Sequence, residues 1–144
     1  MSEIQVLMIE DNPGDLRLMR EILDYVGMAY NQRVARNGEE AIAVLSSSSW
    51  KPDIVFVDLN LPGKSGWEVL KLMKSRKELN TIPTVVITGV LTKGEIKRAE
   101  DLGVDLSLEK YRDTTGLDNS VDLVRDLLRK HHAPLAETSD QMGG

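Results

Sequence analysis

The chain has no cysteine. Disulfides, thiolate zinc sites, iron–sulfur clusters and cysteine nucleophiles are therefore excluded. A reducing compartment fits this composition, and the expected location is cytoplasmic. There is no excess of basic residues either: 18 Lys and Arg against 23 Asp and Glu leave a net charge of −5. Non-specific nucleic-acid binding needs a basic footprint, so no direct nucleic-acid partner is expected. No apolar run approaches the ~20 residues that span a bilayer, so no membrane partner is expected. The opening MSEIQVLMIED carries an early acid and no basic n-region, unlike a secretory signal. Finally, 144 residues are too few for two full domains.

What the chain does have is enough apolar content for a core, 41% of its residues. Short, nearly continuous apolar runs rich in β-branched residues stand at Ile4–Ile9, Asp53–Asp58 and Thr84–Thr88. Such runs suit strands covered on both faces, as in a parallel sheet. Two weaker strands are expected near Asn31–Ala35 and Val104–Leu108. Helical spacing fills the gaps. After Asn12 as cap and Pro13 at the first helical position, Leu16, Met19, Leu23 and Val26 share a face, and Gly27 stops the helix. Further helices are expected over Glu39–Leu45, Gly66–Leu79, Lys93–Leu102 and Leu117–Lys130. The order is βα five times over. It predicts an α/β fold, a doubly wound five-stranded parallel sheet with five helices and right-handed crossovers. The domain is expected over 1–131, with a flexible C-terminal tail over 132–144.

Ligands of open α/β sheets bind beyond the carboxyl ends of the strands. There the sequence presents Glu10-Asp11 after the first strand, Asp58 after the third, Thr88-Gly89 at the fourth and Glu109-Lys110 after the fifth. Three carboxylates, a hydroxyl and an amine thus converge on one edge. Hard oxygen donors without His or Cys favour Mg²⁺, and one lysine plus a divalent cation balances three negative charges. A carboxylate, ionised at neutral pH with a reference pKa of about 3.9, can attack phosphorus without a general base. Mg²⁺, lysine and hydroxyl would stabilise the phosphoryl oxygens. A single strand-end Asp is commonplace; the set at one end of different strands is not.

These residues give the sequence its likeness. Ile9-Glu10-Asp11-Asn12, the run Val57-Asp58-Leu59-Asn60-Leu61-Pro62-Gly63 through Gly66, Ile87-Thr88-Gly89, and Lys110 together resemble the receiver domain of two-component response regulators, the CheY-like family. The resemblance spans residues 4–131. It implies a flavodoxin-like strand order, 2-1-3-4-5. Glu10-Asp11-Asn12-Pro13-Gly14-Asp15 resembles the stand-alone branch associated with phytochrome-type sensor kinases. By resemblance, Asp58 is the phosphoacceptor. Asp11 and Asp58 bind Mg²⁺, with Glu10 acting largely through water and Asn60 through its backbone carbonyl. Thr88, Gly89 and Lys110 receive the phosphoryl group. The donor is a phosphohistidine on a sensor histidine kinase. The output is a downstream protein target or phosphorelay partner, because the few residues after the last helix leave no room for a DNA-binding unit. The chain is expected to be a monomer or a phosphorylation-dependent homodimer, and not an enzyme beyond its own phosphorylation and slow dephosphorylation.

Two positions depart from the family pattern. Ser107 occupies the switch position, usually aromatic, and Tyr111 follows the lysine where proline is usual. Val90, with Asn60, stands where the dephosphorylation rate is tuned. An apolar Val90 implies a long-lived phosphoryl group. One alternative is a phosphorylation-independent interaction module. Another is a Mg²⁺-dependent phosphohydrolase, disfavoured because Asn60 stands where a second catalytic Asp is needed. Pro62-Gly63-Lys64-Ser65 fails as a phosphate-binding loop, since Asp58 occupies the position of its first glycine. His131-His132 reads as helix C-terminal cations. Trp67 reads as packing near the site. Lys93, Lys97 and Arg98 form a basic patch, read first as a solvated face and, by resemblance, second as a docking surface.

Overall fold

The computed structural model describes residues 3–61 and 65–143, with side chains through 131. Five strands and five helices alternate: β1 Ile4–Ile9, α1 Pro13–Val26, β2 Tyr30–Ala35, α2 Gly38–Ser46, β3 Ile54–Val57, α3 Gly66–Ser75, β4 Thr84–Thr88, α4 Lys93–Asp101, β5 Leu106–Glu109 and α5 Thr114–Gly143. The strands form one parallel sheet in the order β2-β1-β3-β4-β5. The expected doubly wound α/β sheet and its strand order are those found.

Alternation along the strands divides the core in two. Val6 and Met8 of β1, Ile54 and Phe56 of β3, and Val85 and Ile87 of β4 pack against α1 and α5. Leu7, Ile9, Val55, Val57 and Val86 face the other way, toward α2 and α3. Because both faces are covered, β3 and β4 are buried along their whole length. This explains their continuous apolarity.

Local chemistry sets the element ends. Asn12 caps α1, its side chain accepting from the N–H groups of Gly14 and Asp15 at 2.8 and 3.1 Å. Gly27 ends that helix at φ 86°, the left-handed conformation that a residue with a Cβ rarely adopts. Ser65 with Glu68 and Thr92 with Glu95 form capping boxes at α3 and α4. At the amino ends of the strands two aspartates act as staples. Asp53 Oδ2 accepts from Gln5 N at 2.7 Å, and Asp105 Oδ2 accepts from Thr84 N at 2.9 Å.

Helix α3 is shorter than its apolar pattern predicts. Arg76 turns to an extended conformation, and the N–H groups of Leu79 and Asn80 both return to the Arg76 carbonyl. Leu79 is buried from this turn rather than from a helix. Helix α5 begins at Thr114 and runs through Gly143, past the expected end at Lys130 and into the span read as a tail, 132–144; the side chain of His132 lies outside the described residues. His131 is exposed. The loop at 62–64 also lies outside the described residues. Two tryptophans sit under arginines: Arg33 lies 4.5 Å from the Trp50 ring centroid, and Arg98 of α4 lies 4.3 Å from that of Trp67 in α3. No helix is long and apolar enough to cross a membrane, among the described residues.

Candidate phosphoacceptor site

β1, β3 and β5 each deliver a functional residue through a ladder bond just past the carboxyl end. Glu10 N donates to Ala35 O at 2.9 Å, Asp58 N to Ile9 O at 3.1 Å, and Lys110 N to Thr88 O at 2.8 Å. The backbones of Glu10, Asp58 and Lys110 are therefore fixed by sheet hydrogen bonding rather than by loop conformation, and their side chains project over the same sheet edge.

Asp58 is 3% exposed and lies at the floor of the site. Its Oδ1 accepts from Asn60 N at 2.9 Å, and its Oδ2 pairs with Lys110 Nζ at 3.0 Å. The Asn60 amide reaches the Thr88 hydroxyl at 3.5 Å. Gly66 explains how the loop after Asp58 folds back so tightly. A Cβ at this position would lie 2.6 Å from the Asp58 carbonyl oxygen and 2.8 Å from Val57 Cγ1. Only a residue without a side chain lets the start of α3 lie against the Asp58 backbone.

Glu10 is 1% exposed. Its Oε2 accepts from the N–H groups of Asp11 and Asn12, while its Oε1 has no hydrogen-bond partner. Burial first, and then the neighbouring Asp58, push its carboxyl up to about 8. Burial acts to lower the Lys110 ammonium, but its bonds to Asp15 and Asp58 outweigh this and raise it above the ordinary lysine value. Carboxylate oxygens of Glu10, Asp15 and Asp58 all lie within 4.8 Å of one another. A buried carboxylate oxygen with no hydrogen-bond partner, among hard oxygen donors, fits a divalent cation of the Mg²⁺ or Mn²⁺ type.

Asp15 is the member of this group that the sequence reading passed over. It stands in the first turn of α1, where an acid reads as an ordinary charge complementing the helix dipole. The signal that could have found it is its place in the first turn of α1, directly after the Asn12-Pro13 start that follows the carboxyl end of β1. Asp11 itself is exposed, its backbone N–H bound to Glu10. Gly89 and Val90 follow β4, with Val90 66% exposed beside the site. Leu91 N is tied to Glu109 Oε2 at 2.8 Å, anchoring the start of the loop to α4 on the end of β5.

Ser107 is partly buried on β5. A groove of about 900 Å³ opens between α4 and α5, with Ile96, Ser107, Leu108, Asn119 and Leu123 among its lining residues. Tyr111 also lines this groove, while its hydroxyl donates to Glu21 on α1 at 2.8 Å. Burial and that carboxylate raise the phenol above the ordinary tyrosine value. Arg98, from the basic face of α4, stacks on Trp67, and Lys97 pairs with Asp101 at 3.5 Å.

The chain is similar to known proteins in sequence and in fold. A family model for the response regulator receiver domain matches residues 6–122. Response regulator Rcp1 of Synechocystis sp. is 32% identical over 117 residues, covering 78% of this chain and 80% of that protein. The polar-differentiation response regulator DivK of Brucella anthropi is 32% identical over 105 residues, 73% of this chain and 82% of DivK. Among solved structures, the phosphorylated cyanobacterial phytochrome response regulator RcpA superposes with a TM-score of 0.74 at 30% identity, covering 89% of this chain and 93% of that one. The Mn²⁺-bound form of Rcp1 gives a TM-score of 0.72 at 31% identity, covering 82% of this chain and 88% of that one. The family model covers most of the chain, and these relatives match it in both sequence and fold; the chain belongs to the response regulator receiver domain family.

Proposed function

We propose that Asp58 accepts a phosphoryl group from the phosphohistidine of a sensor histidine kinase, with Mg²⁺, and that the phosphorylated chain signals by binding another protein. The observation that carries this reading is the buried Asp58 carboxylate, held on one oxygen by the Asn60 N–H and on the other by Lys110, with Thr88 alongside. In the transfer, a carboxylate oxygen of Asp58 attacks phosphorus. The bond from phosphorus to the donor imidazole breaks, and its electron pair stays on the imidazole nitrogen. Mg²⁺, when bound, neutralises charge on the phosphoryl oxygens. Glu10, Asp11, Asp58 and the Asn60 carbonyl are the residues that would hold it. Lys110, fixed through its backbone on β5, places a cation beside the transferred group, and Thr88 and Gly89 supply the hydroxyl and the open backbone on the far side. Related chains solved in phosphorylated and Mn²⁺-bound form support the same chemistry here.

The test is incubation of the chain with Mg²⁺ and a small acyl phosphate, followed by intact mass. One phosphoryl group is expected on the wild type and none on Asp58→Ala. With the apolar Val90 in place, the adduct is expected to outlast seconds. Absence of an adduct from both a small donor and a cognate kinase overturns the proposal. Ser107 and its groove favour one second reading, a partner surface that works without phosphorylation. Binding of the same partner, equally tight before and after phosphorylation, would establish that alternative instead.

A further inference from the structure

Lys110 stands among three carboxylates. Its Nζ lies 2.6 Å from Asp15 Oδ2, 3.0 Å from Asp58 Oδ2 and 3.7 Å from Glu10 Oε1. The last distance is beyond hydrogen-bonding range. Yet Glu10 Oε1 is the oxygen with most to gain. It is buried and, apart from this long ion-pair contact, has no hydrogen-bond partner, and leaving such an oxygen without a hydrogen bond costs stability. An ammonium with three donors on a flexible four-carbon stem would ordinarily close that gap. Something holds it back.

Asp15 is the group placed to do so. It takes the shortest of the three contacts, and its own position is set by the α1 cap. Asn12 Oδ1 holds its N–H at 3.1 Å, and Pro13 fixes the first helical φ. Its side chain is 26% exposed, against 4% for Asp58 and 1% for Glu10, so it draws the ammonium toward the open end of the pocket.

We propose that Asp15 is a positioning residue that keeps Lys110 off Glu10 Oε1 and so leaves that buried oxygen open to a divalent cation. Lys110 and the cation compete for one oxygen, and Asp15 decides the competition in favour of the cation. The inference rests on the metal-assisted reading given above, but it concerns where Lys110 stands before any phosphoryl group arrives.

The experiment is calorimetric titration of Mg²⁺ into the whole chain as wild type, Asp15→Asn, Lys110→Met and the double variant. The bare charge of Asp15 acts on the cation in both backgrounds and cancels in the comparison. If Asp15 works through Lys110, the loss of Mg²⁺ affinity on Asp15→Asn is larger in the wild-type background than in Lys110→Met by roughly tenfold. Equal losses in the two backgrounds, or no loss in either, overturn the proposal; equal losses would make Asp15 a ligand or a simple charge. Asp15→Glu is expected to restore part of the affinity. If Asp15→Asn does not fold, Asp15→Ser takes its place. Phosphorylation of wild-type Asp58 by acyl phosphate and Mg²⁺ is measured in parallel. A normal adduct with equal losses sinks the role of Asp15 alone, whereas no adduct and no Mg²⁺ binding sink the parent reading with it.

Discussion

At the scale of single residues, the pocket puts charge where the fold would otherwise avoid it. Glu10 and Asp58 are both buried, and Lys110 is the cation that answers them. Removing one negative charge without changing shape is expected to relieve repulsion. Asp58→Asn should therefore melt higher than wild type in metal-free buffer, by about 3 °C if the relief is near 1 kcal/mol. An unchanged or lower melting temperature counts against a tight cluster. Glu10 adds a pH dependence of definite sign. Its carboxyl rises from 4.5 to about 8 on folding, so the folded state binds the proton more tightly. The stability this confers is fully present below the lower value and is lost as pH rises through the upper one. Metal-free wild type should thus lose stability from about pH 5 to pH 9, and Glu10→Gln should flatten that slope. Equal slopes in the two proteins would refute the assignment. The same scale shows what sequence could not supply. Glu10, Asp58, Thr88 and Lys110 are legible because each sits at a strand end, where position in the fold follows from the pattern. Asp15 sits on a helix, and its relation to Lys110, ninety-five positions along the chain, appears only once α1 and β5 are placed.

At the scale of elements, the site depends on how closely α3 begins against β3. The would-be Cβ of Gly66 meets backbone on the Asp58 side, not the end of a flexible side chain. Backbone cannot give way cheaply in a packed interior. Gly66→Ala is expected to cost about 1–3 kcal/mol in denaturant unfolding, and to slow phosphorylation of Asp58 because its own carbonyl must shift. Wild-type stability in this variant would show that the loop has slack. The elements themselves were read with uneven success, for physical reasons. The buried strands β3 and β4 announce themselves by apolar continuity, and the ends of α1 by Asn12, Pro13 and Gly27. β2, by contrast, is an edge strand with alternating exposure, so its pattern is faint. The early end of α3 was not legible, because Leu79 keeps the helical spacing while the Arg76 carbonyl gathers a turn.

At the scale of the whole molecule, alternation of strand and helix carries the fold class, since parallel strands need crossovers and crossovers here are helices. The lateral order of the strands does not follow from alternation; it came with the family likeness, and the sheet has that order. One feature of the finished fold reaches beyond the pocket. The two tryptophans lie at opposite ends of the sheet, Trp67 directly after Gly66 beside the Asp58 carbonyl, and Trp50 just ahead of β3, where its indole N–H is held by Gln5 at 3.0 Å. Trp67 alone is stacked under a residue of α4. The chain therefore contains its own optical pair, a probe near the site and a reference far from it. In Trp50→Phe, addition of acyl phosphate with Mg²⁺ should change the remaining indole emission if Arg98 moves with α4. In Trp67→Phe the emission should stay flat. A phosphoryl adduct in the mass spectrum with silent emission from both would mean that α4 keeps its place, and that the signal leaves the domain by another face.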